Sequence, residues 1–294
     1  MTVLDRPIVL LGAARSGTTL TAEILEHHPD VAYWVEPKYV WRYRNPRAAT
    51  DARPPSEATP QVRAYIRAKF EAYRARNGAA RFMEKTPSNC FRVPFVHAVL
   101  PDARFVHLVR DGRDVALSAE RKWTTPPDPS AIRRRLRLAR HEIPLRDAPF
   151  YAVDTVRDVL GRQFMPAQAF IWGPHFPGIR EVRRTHTVLE TCAIQWRESA
   201  EAAIEGLRAV PDDHVLEVRF ERLIRTPRET LEAILDFLGL SSDAALIDYA
   251  QRTIDRSAAQ RWPAELERVG SLAPLLDPTL EALGYATTPE SLAT

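Results

Sequence analysis

The chain predicts an α/β fold: a parallel sheet flanked by helices and carrying a mainly helical insertion. Three observations lead there. Short apolar runs alternate with segments of helical period from residue 7 onward, the order that builds βαβ units. The first of these runs ends in a glycine-spaced turn that opens a helix. Gly12, Glu36, Lys85 and Arg110 all fall at the ends of predicted strands, the edge at which open parallel sheets bind ligands.

The elements follow in order. Ile8 to Leu11 reads as a buried strand, and Thr19, Leu20, Ile24 and Leu25 open an apolar helix. Between them Gly12-x-x-x-x-Gly17-Thr18-Thr19 has the spacing of a P-loop, with Thr18 at the lysine position and Arg15 inside the loop. Glycines let the backbone wrap closely, and the helix N-terminus favours an anion. Without the lysine, the loop suits a phosphate-like group better than a nucleoside triphosphate with its metal. Val31 to Val35 alternates into a second strand, which ends at Glu36-Pro37. Residues 53–56 are a loop. Gln61 to Arg76 has helical spacing, with Val62, Tyr65, Ile66, Phe70 and Tyr73 on one face. Arg81 to Glu84 is a short strand feeding Lys85, and Phe91 to Leu100 is a helix.

Phe105 to Val109 is the next buried strand, with Arg110 at its C-terminal end and Asp111-Gly112 turning into a helix. Ser118 lies about two turns into that helix, within reach of Arg110. An arginine and a hydroxyl meeting at a strand end suit a phosphate monoester. Residues 123–187 change character: Pro126-Pro127, Arg133-Arg134-Arg135, Phe150-Tyr151 and Trp172 to Gly178 show no alternation. They read as a helical and loop insertion over the sheet edge, forming an acceptor pocket within a single domain of residues 1–294. His186 to Leu207 is a long helix and His214 to Val218 the last core strand. Thr226-Pro227-Arg228-Glu229 reads as a capping box with proline at the first helical position, and Gly239 closes that helix.

Composition narrows the classes. The 294 residues are 45% hydrophobic and 27% charged, which is soluble and globular in character. A net charge of only +3 gives no nucleic-acid footprint. No apolar run has the length of a membrane span, and the N-terminal residues show no signal peptide, so a cytoplasmic protein is expected. Cys90 and Cys192 are the only cysteines and read as reduced core thiols. Arginine dominates the cations. Lysine occurs only at 38, 69, 85 and 122, which singles out Lys85 at a strand end.

The two motifs together resemble the sulfotransferases that use 3′-phosphoadenosine 5′-phosphosulfate (PAPS), most closely bacterial and tyrosylprotein-type members. Gly12 to Leu20 is similar to that family's 5′-phosphosulfate loop, and Val109 to Ser118 to its 3′-phosphate segment. Leu216 to Leu240 resembles a strand, loop and helix that recur late in these enzymes. The resemblance implies that Arg15, Ser16, Gly17, Thr18 and Thr19 bind the 5′-phosphate and sulfonate, and that Arg110 and Ser118 bind the 3′-phosphate. Ser257 and Arg261 lie in a segment that resembles the one closing over the nucleotide, with Trp262 near the adenine. Glu36 is the expected base, in an apolar surround that Trp34 and Trp41 could supply. Lys85 is the expected electrostatic stabiliser at the leaving oxygen, unless it is only a rim partner of Glu84. His186 is the rival base. No metal is expected, since no His, Cys or Asp cluster has ligand spacing. PAPS is the expected co-substrate and PAP the product. The acceptor is expected to be a hydroxyl of a small molecule, carbohydrate or lipid, and homo-oligomerisation is left open. The alternatives are a P-loop small-molecule kinase and a catalytically inactive nucleotide-binding module.

Overall fold

The computed structural model describes residues 4–125, 171–258 and 260–287. Five parallel strands form one sheet in the order β2-β3-β1-β4-β5, with β1 Ile8–Leu11, β2 Val31–Val35, β3 Arg81–Lys85, β4 Arg104–Val109 and β5 Val215–Arg219. The chain goes to one side of β1 for β2 and β3, and to the other for β4 and β5. Such a reversal beside a central strand opens a crevice at the C-terminal strand ends. Val35 is level with Lys85, and Lys85 with Leu10. β4 continues past that level, pairing His107 with Leu11 and Val109 with Arg219. Arg110 therefore stands further out along the same edge.

Strand alternation divides the core in two. Ile8, Leu10, Met83, Val106 and Leu108 pack under α1 (Thr18–Leu25) and under the helices at 220–225, 227–238 and 244–253. Val9, Leu11, Trp34, Phe82 and Phe105 pack on the other face, under α3 (Pro60–Arg76) and α4 (Val93–Val99). α3 buries Val62, Ile66 and Phe70, with Thr59 capping its N-terminus and Pro60 in its first turn. Tyr65 and Tyr73 reach its rim, where they stack on Tyr43 and Trp34. A third cluster joins α5 (Gly112–Thr124) to the long helix Val188–Leu207 and to the helix Ala273–Ala282.

Four expected boundaries move. The helix expected from Phe91 is a 3₁₀ run, Pro87–Arg92, followed by α4; Pro94 has no N–H to donate and is placed in the new helix's first turn. The helix expected from His186 starts at Val188, because Thr187 and Glu190 close a capping box there. The last strand is Val215–Arg219, since Asp212–His214 forms a 3₁₀ turn. The capping box expected at Thr226 is not made. The helix Phe220–Arg225 runs directly into Thr226, whose hydroxyl donates back to the Arg222 carbonyl, while Pro227 does begin the next helix. Gly239 closes that helix in the left-handed region, φ 64°. Most of the expected insertion, including Pro126-Pro127, Arg133 to Arg135 and Phe150-Tyr151, lies outside the described residues. Its described end is a loop from 171 and the helix Ile179–Thr185.

Candidate active site

The glycine loop is built by close approach. A Cβ on Gly12 would come within 2.5 Å of the Leu108 carbonyl oxygen on β4, and one on Gly17, at φ 91°, would enter the Phe220 ring. The Ser16 N–H closes the turn on the Ala13 carbonyl at 3.1 Å. Gly17 is the N-cap of α1 and no side chain caps its first turn, which leaves the amides of Thr18 and Thr19 for an anion. Ser16 and Thr18 are buried, whereas Arg15 and Thr19 reach the surface. Cys90 lies buried beside the Gly12 amide, and burial pushes its thiol up to about 12, so it is inert.

Arg15 adopts a left-handed backbone, φ 76°, unusual for a residue with a Cβ. Its Nε donates to the Ser118 hydroxyl at 3.1 Å, and Arg110 donates to its carbonyl oxygen at 3.2 Å. Ser118 thus meets Arg15 rather than Arg110, while Arg110 braces the loop from below. Among the described residues no carboxylate pairs with Arg15. Desolvation, and then repulsion from Arg121, hold its guanidinium below the ordinary range. Arg110 lies over the Phe220 ring at 4.2 Å, with Asp114 Oδ2 3.7 Å from its guanidinium. Its pKa is also lowered, first by burial, against the pull of Asp114 and Glu221.

Asp114 carries the late segment to this place. Its Oδ1 accepts from the backbone N–H groups of Arg261 and Trp262, each at 2.9 Å. Arg261 and Ser257 both bond Asp255, at 2.7 Å each. Trp262 is only 2% exposed and lies under the Arg113 guanidinium at 3.8 Å, so it is a core residue and not an open platform for a base. Arg113 itself grips Asp111 with two hydrogen bonds, at 2.9 and 2.7 Å. That pair is the structural Arg–Asp contact of the motif.

On the β2–β3 side of the crevice, Lys85 donates to Glu36 Oε1 at 2.8 Å, and Lys38 lies 3.4 Å from Oε2. Glu36 also has a left-handed backbone, φ 46°. Trp34 and Trp41 do not supply the apolar surround expected of them among the described residues. Both indoles are buried in the cluster beneath α3, on the opposite face of the sheet, and Glu36 faces two ammonium groups instead. Lys85 does not pair with Glu84, because neighbouring strand residues project to opposite faces. Glu84 is fully buried and accepts from Trp41, Thr86 and Asn89. His186 lies at the C-terminus of the helix Ile179–Thr185. Its Nδ1 lies 2.9 Å from the Thr185 hydroxyl and 3.2 Å from the Val182 carbonyl oxygen, so its own helix occupies it.

Lys38 and Asp114 escaped the sequence reading, which took Glu84 only as a rim partner of Lys85. Lys38 alone had a usable signal, as one of four lysines and two residues past Glu36. Among the described residues no group of His, Cys, Asp and Glu could hold a metal, and no helix is long and apolar enough to cross a membrane.

A glycine loop that opens a helix and a carboxylate–lysine pair thus stand at the same edge of one parallel sheet. The model of the sulfotransferase family matches residues 7–142 and 121–244. The chain belongs to that family. The nodulation protein NoeE of Sinorhizobium fredii is 27% identical over 132 residues, which cover 40% of this chain and 32% of that protein. The chain thus matches about a third of that relative's length. The fold is shared with the sulfotransferase domain from the curacin biosynthetic pathway, at TM-score 0.55, 14% identity and coverage of 97% of this chain and 99% of that one. It is shared as well with sulfotransferase STF9 from Mycobacterium avium, at TM-score 0.54, 12% identity and coverage of 97% and 78%.

Proposed function

We propose that this sulfotransferase takes a sulfonate from PAPS, delivers it to a hydroxyl of a small-molecule, carbohydrate or lipid acceptor, and releases PAP in a cytoplasmic setting. The observation that carries the reading is the meeting, at one sheet edge, of an uncapped helix N-terminus with Arg15, Ser118 and Arg110, opposite the Lys85–Glu36 pair. The residues fit a doubly phosphorylated nucleotide. The amides of Thr18 and Thr19 and the Arg15 guanidinium suit its 5′ end, and Arg110, Ser118 and Arg261 suit its 3′-phosphate. When bound, PAPS supplies an activated sulfonate on a phosphate leaving group.

Each side chain then has a task. Glu36 takes the acceptor's hydroxyl proton as the oxygen–sulfur bond forms in line. Lys85 donates to the bridging oxygen as the old bond breaks and charge develops there. Arg15 and the loop amides hold the sulfonate oxygens throughout. Lys38, on the outer side of Glu36, keeps the carboxylate oriented while Lys85 turns to its oxygen.

Thermal stabilisation in chelator tests the nucleotide. PAP at a hundred times its Kd should stabilise the protein by about 2.7 kcal/mol with no metal present, and Mg-ATP should not. Stabilisation by Mg-ATP alone would favour a kinase and overturn the reading.

A further inference from the structure

Glu84 precedes Lys85 on β3, yet its side chain enters the opposite face of the sheet and is fully buried. Three donors from two pieces of chain converge on it, Trp41 from one and Thr86 and Asn89 from the other. The Trp41 indole N–H donates to Oε2 at 3.3 Å, the Thr86 hydroxyl to Oε2 at 2.7 Å and the Asn89 amide to Oε1 at 2.7 Å. Asn89 accepts in turn from Arg92 Nε at 2.8 Å. Trp41 ends the short helix Lys38–Trp41, which begins two residues after Glu36. Thr86 follows Lys85 directly. One buried carboxylate therefore joins the segment bearing Glu36 to the strand end bearing Lys85.

A carboxylate wholly buried against the Trp41 indole is expensive, and an apolar residue of similar volume often serves stability as well or better. All three partners donate to it, and they match the ionised form, since a protonated carboxyl would add an O–H that none of these three bonds accepts.

We propose that Glu84 is a positioning residue: in its ionised form it fixes the Glu36 segment against the Lys85 strand end and so holds their 2.8 Å pair in register for transfer. The inference rests on the proposed roles of Glu36 and Lys85. Titration supports it. Burial raises the Glu84 carboxyl from 4.5 to about 7, against the hydrogen bonds of Thr86 and Trp41 and the charges of Arg92 and Lys85. Arg92, itself buried among Asp51, Arg42 and Arg53, and Lys85 are the cations that act on it, and Tyr33 on the neighbouring strand stays protonated, because burial and nearby carboxylates raise its pKa. As pH falls through about 7, Glu84 gains a proton, the match to its donors fails and the pair loosens. The effect on stability has the opposite sign. The folded state binds this proton more tightly than the unfolded chain does, so ionising Glu84 costs stability as pH rises from 4.5 to about 7.

The test uses Glu84→Gln, which keeps the volume and removes the charge, and Trp41→Phe, which removes one donor. Trace acetylation read by mass spectrometry reports Lys85 against exposed Lys122 and needs no substrate. PAP release from PAPS with pooled hydroxyl acceptors reports turnover across pH. In Glu84→Gln, labelling of Lys85 relative to Lys122 should rise about fivefold or more, and kcat should fall about ten- to a hundredfold, the scale of a slightly misplaced group. The acid limb near pH 7 should vanish, while PAP affinity stays within about twofold. Trp41→Phe should move labelling and kcat the same way by less. Unchanged labelling together with an intact acid limb in Glu84→Gln would overturn the inference and leave the PAPS reading standing. Raised labelling in a protein whose parent form does not turn over PAPS would support the positioning and remove the donor assignment.

Discussion

Arg15 and Glu36 are ordinary residues held in left-handed backbone, one at each side of the crevice. Such geometry costs on the order of 1–3 kcal/mol and persists only where the surroundings impose it. Glu36→Gln should lower PAPS turnover by roughly 10²–10⁴ at every pH, the usual worth of a positioned base, and leave PAP affinity within a few-fold. His186→Ala should turn over like the parent. The reverse pattern, measured in the same assay, would move the base to the helix at 179–185. Arg110→Ala should weaken PAP by about 2–4 kcal/mol, the cost of removing one partner from a buried anion contact. Because Arg110 also bonds the Arg15 carbonyl, a ligand without the 3′-phosphate should weaken too, though by under about 1 kcal/mol. Calorimetry with PAP and with adenosine 5′-phosphosulfate separates the two, and equal losses would make Arg110 purely a brace.

At the scale of elements, two stretches carry the same Thr-x-x-Glu signature, at Thr187 and at Thr226, and only the first forms the reciprocal cap. The difference lies outside both signatures. Thr187 follows a break after the helix Ile179–Thr185 and takes an extended backbone, φ −62° and ψ 168°. Thr226 is pressed against the helix before it, with φ −126° and ψ 65°; its hydroxyl donates back to the Arg222 carbonyl and meets only the Thr230 hydroxyl of the next helix, at 3.5 Å, and no backbone amide there. Thr187→Ala should therefore cost about 1 kcal/mol in denaturant unfolding, and Thr226→Ala only a few tenths. Comparable losses would show that Thr226 caps in solution. The strands and the long helix at α3 were legible because their periodicity is local: Ile8 to Leu11 apolar throughout, Val62, Ile66 and Phe70 at helical spacing. The caps were less so, because they depend on how the preceding chain arrives.

Across the whole molecule, the parallel sheet brings every strand's C-terminus to one edge, so the site assembles from segments far apart in sequence. The same sheet buries groups that titrate. His107 on β4 has its pKa lowered by burial to about 4, and Glu217, 3.8 Å away, forms no ion pair with the neutral ring at pH 7. The unfolded chain binds that proton near 6.5 and the folded state only near 4. His107 thus contributes stability above 6.5 that is lost as pH falls through that window. Glu84 acts the other way over 4.5 to about 7. The melting temperature of the parent should change little from pH 7 to 5 while the two offset one another. His107→Gln should then gain stability toward pH 5 relative to the parent, and Glu84→Gln should lose it. Parallel curves for all three proteins would remove both groups from the account.

By itself the sequence determined which segments are strands, which loop has the glycine spacing of an anion cradle and which residues stand at the strand ends, because apolar period and glycine spacing are properties of neighbouring residues. Only the tertiary structure decided who meets whom. Lys85 meets Glu36 and not Glu84, because β3 pairs between β2 and β1 and its successive side chains leave on opposite faces. Ser118 meets Arg15 and not Arg110, because β4 runs on past the loop. Trp34 and Trp41 leave the crevice for the core under α3, and Glu84 goes there with them. Each of these contacts depends on strand order and register, which are set by pairing between residues distant in the chain and leave no mark in any short stretch of it.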